Sequence, residues 1–309
     1  MTKNELIKKL ENVEKKASAS KFKRMLMGPF KYINAILFRE IFYRINKRER
    51  EVISETFFGV KMHLLLPSST DIYITGGKSH KSETRLAKFM INNLESGDTF
   101  ADVGAHYGYF TLLASVLVGD KGKVYSFEAS PTNYKVHSKN TLKRTNIHSF
   151  NLAVSDEASE LKFYEFPNLY SEYNTLYVGQ LSNENWFSEY KPREINVKSV
   201  ILDALLHDTK LYPKIIKIDV EGAELGVING LRNYLSKNSP FLVMEYLSKE
   251  RGNEGHKRAE NILRSLGYLS FVIDKSGNLK KLDSIPEYLD DEELESDNIV
   301  FSRSRFVKI

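Results

Sequence analysis

Asp102 closes a short apolar run, and glycines follow at 104 and 108 before an apolar, helix-forming stretch opens at Tyr109. The pattern is D-x-G-x-H-x-G. In an open α/β sheet, ligands bind beyond the carboxyl ends of the strands, so such a turn is a place for a nucleotide-like cofactor. Gly104 and Gly108 would let the backbone pass close to it without a Cβ in the way. A dinucleotide site instead wants G-x-G-x-x-G, with backbone N–H groups facing a pyrophosphate. An acid leading into the turn is a poor neighbour for pyrophosphate and a good one for an ammonium group. S-adenosylmethionine, which carries an ammonium and a sulfonium, suits the turn better.

A second acid, Glu128, ends the next apolar run 20 residues beyond Gly108, where a carboxylate can hold both ribose hydroxyls. A third, Asp219, ends the buried run Ile215-Ile216-Lys217-Ile218 and would line the space between methyl donor and acceptor. Glu221 and Glu224 follow it and favour the dipole of the next helix. An acceptor that must lose a proton as it attacks is helped by a general base. Asp219, His106 and His80 are the catalytic candidates, and Glu245 is another carboxylate near the same rim. No histidine pair or carboxylate cluster stands at metal-ligand spacing along the chain, which makes a metal-independent reaction the expectation.

Alternating elements must position these groups. Val60–Leu66 and Ile72–Thr75 read as strands across the turn-rich segment at Pro67. From Glu83 the pattern runs helix (Glu83–Leu94), strand (Thr99–Val103), helix (Tyr109–Leu117), strand (Lys123–Phe127), helix (Pro131–Lys143) and strand (Ser149–Val154). Later come strand Lys214–Ile218, helix Gly222–Leu235, strand Pro240–Glu245 and helix Lys257–Leu266, with Tyr268–Ile273 and Asn298–Phe306 completing the sheet. Strands alternating with helices mean parallel βαβ units with helices on both faces of one sheet. Nine aromatics between Phe163 and Tyr190 read as a substrate-side lid, a packed insertion or a dimer surface.

On DVGAHYGYFTLLAS (102–115), VYSFEASP (124–131), NLAVSD (151–156), VILDALL (200–206), IKIDVEGAE (216–224) and PFLVMEY (240–246), the sequence resembles the FkbM family of class I, S-adenosylmethionine-dependent methyltransferases. The resemblance implies a doubly wound, Rossmann-like α/β sheet of seven strands, order 3-2-1-4-5-7-6, with the last strand antiparallel. It also implies methyl transfer to a hydroxyl oxygen, on acceptors such as polyketides and cell-surface glycans. Where the family usually has Asn, this chain has His106. The expected cofactor-binding set is Glu83, Asp102, Gly104, Ala105, His106, Tyr107, Gly108, Glu128, Ala129, Ala153 and Asp219. Residues 56–309 form the expected methyltransferase domain, and residues 1–55 a basic amphipathic helical extension. Two rivals are a non-catalytic scaffold on the same fold and an NAD or nucleotide-sugar oxidoreductase.

The 309 residues, 41% hydrophobic and 28% charged, suffice for a buried core. The absence of cysteine excludes a disulfide scaffold, a thiolate nucleophile and a Cys-bound metal cluster. The net charge of +5 is uneven: residues 1–50 hold 14 Lys/Arg against 5 Asp/Glu, so the remainder is mildly acidic and no nucleic-acid surface. Eight acids and no bases between Asp283 and Asp297 read as a solvated loop. Two helices broken at Gly28-Pro29 are expected at the basic end. In the second, Phe30, Ile33, Leu37 and Ile41 make an apolar face beside Lys31, Arg39, Arg44, Lys47 and Arg48. That face suits packing on the main domain, the commoner use, a second subunit in a homodimer, or an anionic membrane through residues 20–50. With neither a secretory leader nor a run of about 20 apolar residues, a cytoplasmic chain is expected, peripheral at the inner membrane face if that contact forms. A small-molecule or saccharide hydroxyl is the expected partner.

Overall fold

A computed structural model describes residues 1–182 and 184–303. Its strands are β1 (Arg50–Glu55), β2 (Lys61–Leu66), β3 (Thr99–Val103), β4 (Lys123–Phe127), β5 (Ile147–Phe150), β6 (Ala153–Val154), β7 (Glu160–Glu165), β8 (Arg193–Val200), β9 (Ile215–Ile218), β10 (Phe241–Leu247), β11 (Leu269–Ile273), β12 (Leu279–Leu282) and β13 (Ser296–Ser302). The main sheet runs β12-β11-β13-β10-β9-β3-β4-β5. It has eight strands rather than the expected seven, because β12 adds to the edge beyond β11. β9, β3, β4 and β5 pair in parallel, as do β10 and β9, whereas β13 is antiparallel to both β10 and β11.

Alternate residues of the buried strands feed two cores. Phe100, Ile215, Val243 and Val300 pack on one face with the helices Lys81–Asn93 and Tyr109–Val118. Ala101, Ile216, Met244 and Ile299 pack on the other with the helices Glu224–Gly230 and Glu254–Ser265. This two-residue alternation is why the central strands read as continuous apolar runs.

Several expectations change. Thr70–Thr75 is a helix, not the strand expected over Ile72–Thr75; Asp71 accepts the N–H groups of Ile72 and Ser79 and so favours the turn. β1, unforeseen inside the extension, pairs antiparallel with β2. The helix Lys3–Ser18 buries Leu6, Leu10 and Val13 in the same core as Phe89 and Leu112. The acidic stretch 283–297 is no solvated loop. It holds the helix Ile285–Asp291, started by Ser284 accepting the Glu287 N–H, and Asp297 is 1% exposed against Arg85 (2.6 Å) and Tyr288 (2.6 Å). The helix expected over Gly222–Leu235 is two, Glu224–Gly230 and Arg232–Lys237. Of the last expected strand, residues 304–306 lie outside the described residues.

The face of Phe30, Ile33, Leu37 and Ile41 is turned to solvent instead of packing on the body. Ala35, Phe38 and Tyr43 dock this helical element, and the Tyr43 hydroxyl accepts the Leu169 N–H at 3.1 Å. Among the described residues no helix is long and apolar enough to cross a membrane.

Candidate active site

The carboxyl ends of β3, β4, β9 and β10 open into a cavity of about 540 Å³, within the range of small-molecule sites. Glu83, Gly104, His106, Glu128, Ala129, Ala153 and Asp219 of the expected cofactor set line it, as does His80. Asp102, Ala105, Tyr107 and Gly108 stand behind this lining.

Asp102 is 1% exposed. It accepts the Thr111 hydroxyl at 2.6 Å and lies 3.6 Å from Lys217 Nζ, its register partner across β3 and β9. Lys217 Nζ also donates to Asp219 Oδ2 at 3.0 Å and reaches the Gly104 carbonyl at 3.4 Å. Burial pushes the Asp102 pKa up against the pull of Lys217 and Thr111. Burial also works against the Lys217 charge, but Asp219 and Asp102 outweigh it and raise its pKa. Asp102 thus has a protein cation of its own, and it reaches the cavity through Lys217 and Asp219. Reading along the chain missed Lys217, because only the strand register pairs it with Asp102.

Packing within the protein also calls for both glycines. A Cβ on Gly104 (φ +82°) would lie 1.7 Å from the Asp219 carbonyl oxygen, and one on Gly108 (φ +87°) would lie 3.1 Å from the His137 ring. Gly104 lets the turn after β3 close against the end of β9, which brings Asp219 to the rim. His106 takes a left-handed φ of 49°, with its ring over Tyr107 and Nε2 3.0 Å from the Ser171 hydroxyl. Burial lowers its pKa to about 4, so the imidazole is neutral near pH 7.

Glu128 accepts the His106 N–H at 2.7 Å and the Ser130 N–H at 2.9 Å, which fixes its carboxylate at the cavity wall. Burial raises its pKa to about 7, with those two N–H groups pulling the other way. Nearby, Phe127, Ala129, Leu152, Ala153, Val154 and Phe163 give the cavity an apolar side.

Lys78 spans the other wall, 2.7 Å from both Glu83 and Glu172. Burial works against its charge, yet Glu172, Glu83 and Asp71 hold its pKa well above the ordinary lysine value. His80 keeps Nδ1 2.7 Å from the Ser82 hydroxyl.

The aromatic insertion divides its work. Tyr170, Trp186 and Tyr190 pack on one another and with Phe38 and Tyr43, Tyr170 stacking on Trp186 at 4.0 Å. Phe163, Ser171, Glu172, Tyr173 and Leu176 face the cavity.

At the far end Asp219, Glu221 and Glu245 each place a carboxylate oxygen within 4.8 Å of the others, a grouping with metal-ligand potential that spacing along the chain did not show. Burial, then Glu245 and Asp219, drive the Glu221 pKa well up; burial, then Asp219, raises Glu245 to about 8, while the Ser296 hydroxyl donates to it at 2.7 Å. Protons held on these groups relieve the repulsion. Glu293, Glu295 and Arg251 complete this acidic end, Arg251 lying 3.5 Å from Glu295. Glu224 is more than a helix-start acid: 1% exposed, it accepts the N–H groups of Val220 and Gly222 and lies 3.1 Å from His256.

A family model described as the methyltransferase FkbM domain matches residues 102–270. The hexuronic acid methyltransferase AglP of Haloferax volcanii is 22% identical over 167 residues, which span 53% of this chain and 62% of that protein. Among solved structures, methyltransferase FkbM from Methylobacillus flagellatus is similar at a TM-score of 0.40 and 13% identity, over 76% of this chain and 52% of that one. A SAM-dependent O-methyltransferase from Thermotoga maritima gives 0.41 and 13%, over 82% and 77%.

Proposed function

The chain belongs to the family of FkbM-domain methyltransferases, and from that premise we propose that it methylates a hydroxyl oxygen of a neutral saccharide, free or lipid-linked, using S-adenosylmethionine. The cavity carries this reading, because its two ends match the two chemistries required. When bound, the cofactor supplies an activated methyl group on a sulfonium. The residues present fit such a group: Glu128 for a ribose diol, Ala129, Leu152, Ala153 and Val154 for a flat base, and an acidic lining for the cationic chain.

The protein's own part is to align an acceptor oxygen, exclude water and take a proton. Asp219 is placed for the proton. It sits at the rim, held by Lys217, between the Glu128 side and the acidic end. His106 is engaged through its ring with Tyr107 and through Nε2 with Ser171, and Glu245 at about 8 is mostly protonated near neutrality. Tyr173 offers a ring face to a sugar. Even with Glu221 and Glu245 protonated, Glu293 and Glu295 outnumber Arg251 at the acidic end, which disfavours an acceptor carboxylate and favours a neutral ring. The test is transfer of labelled methyl from the cofactor to matched neutral and uronic saccharides. Faster labelling of the neutral acceptors, with the product an O-methyl ether by NMR, supports the reading. Preferential labelling of the uronic acids, or N-methylation, contradicts it.

A further inference from the structure

The strongest feature outside the cavity is the exposed face of the N-terminal helices. Phe22, Leu26, Phe30, Ile33, Leu37 and Ile41 recur at three- and four-residue spacing along the helices Lys21–Met27 and Pro29–Leu37 and the turns that follow. Each is at least 45% exposed, Phe30 reaching 89%. Apolar residues scattered singly over a surface are ordinary, but six in succession along consecutive helices mark an interaction face. The element has already completed its docking. Ala35, Phe38 and Tyr43 face the body, and Lys47 is bound to Glu189 and Tyr190. The solvent-facing stripe is what remains.

Its charge says what covers it. Residues 20–50 carry nine Lys/Arg against Glu40 and Glu49 alone. A two-fold contact between copies through this face would set those positive charges against themselves. An apolar stripe interleaved with cations matches a bilayer interface with anionic headgroups, into which the side chains sink while the cations stay at headgroup level. We propose that residues 20–50 seat this protein on the surface of an anionic lipid bilayer, lying in the interface without crossing it. The element is fastened to the insertion at Leu169 and Glu189, and the same insertion supplies Ser171, Glu172 and Tyr173 to the cavity. The seated face and the cavity therefore share one structural unit. The inference is independent of the methyl-transfer reading.

The experiment is flotation of the full chain with vesicles of phosphatidylcholine alone and of phosphatidylcholine mixed with phosphatidylglycerol, at low and high salt. Binding is expected to the mixed vesicles at low salt and to weaken as salt rises. Lys21→Gln with Lys23→Gln removes two exposed charges, each worth about fivefold in partitioning, so binding should fall about 25-fold. Phe30→Ser should lower it by about tenfold or more. Both changes are on exposed side chains, and an unchanged melting temperature shows that the fold is intact. Absence of flotation, equal binding to neutral vesicles, or self-association that Phe30→Ser abolishes without any vesicle binding would each overturn the proposal, the last in favour of a second copy.

Discussion

Replacing Lys217 by Met tests the electrostatic support beneath the cavity. Lys217 is 3% exposed, its ammonium 5.6 Å from the centre of the Phe110 ring, 3.0 Å from Asp219 and 3.6 Å from Asp102. With an effective dielectric constant of about 20, each contact is worth about 5 kcal/mol gross. The contact with Asp219 is worth less, because that side chain is 36% exposed. Bringing the three charges out of water offsets most of this attraction, so the network adds little net stability. Removing the cation alone is different: it leaves Asp102 buried opposite no positive charge, and such truncations cost about 3–5 kcal/mol. Urea unfolding at pH 7, followed by circular dichroism, should show a lower midpoint for Lys217→Met with an unchanged slope. Adding Asp102→Asn removes the stranded charge, so the double variant should be more stable than Lys217→Met alone by at least about 1 kcal/mol. A loss below about 1 kcal/mol for the single variant, or strict additivity in the pair, would refute the network.

Gly104→Ala places a Cβ against the Asp219 carbonyl at a left-handed φ. The backbone conformation alone costs about 1–3 kcal/mol, so unfolding measurements should show at least that loss, and wild-type stability would contradict the packing role. Glu245 has a raised folded pKa of about 8, so the stability it gives is full below about 4.5 and is lost as pH rises through 8. Glu245→Gln should therefore be more stable than wild type to urea unfolding at pH 9, by at least about 1.4 kcal/mol, the worth of a tenfold change in proton affinity. The two should converge near pH 5, and parallel pH profiles would count against the assignment. His106, neutral above about pH 4, should be replaceable by Asn, which tolerates a left-handed backbone, without changing the shape of the pH–rate profile between pH 6 and 9. Loss of the acid limb would instead identify the imidazole as the base.

What the sequence made legible was local and periodic. The strand ending at Asp102, the glycine turn, Glu128 at its distance and the alternation of strands with helices all follow from patterns within about 30 residues. What it hid depends on register and on distant partners. Asp102 meets Lys217 only because β3 and β9 align in parallel, and Asp219, Glu221 and Glu245 gather only because β9 and β10 end side by side. Tyr170, Trp186 and Tyr190 looked available to a ligand because their neighbours Phe38 and Tyr43 are more than a hundred residues away. Ile72–Thr75 has strand-like β-branched residues, but the Asp71 carboxylate takes the N–H groups that favour a helical turn. The apolar face of Phe30 and Ile33 was correctly periodic, yet periodicity does not say which face meets the protein.

The central claim, a cavity built to hold S-adenosylmethionine against Glu128, is tested most directly by calorimetric titration of the purified chain with S-adenosylmethionine and S-adenosylhomocysteine, beside Glu128→Ala and an NAD control. Saturable binding of both ligands and none of NAD is the expected result. Glu128→Ala should weaken affinity by at least about tenfold, the loss of one charge-assisted hydrogen bond. A folded wild-type chain that binds neither ligand, or a Glu128→Ala variant that binds as tightly as wild type, would contradict it.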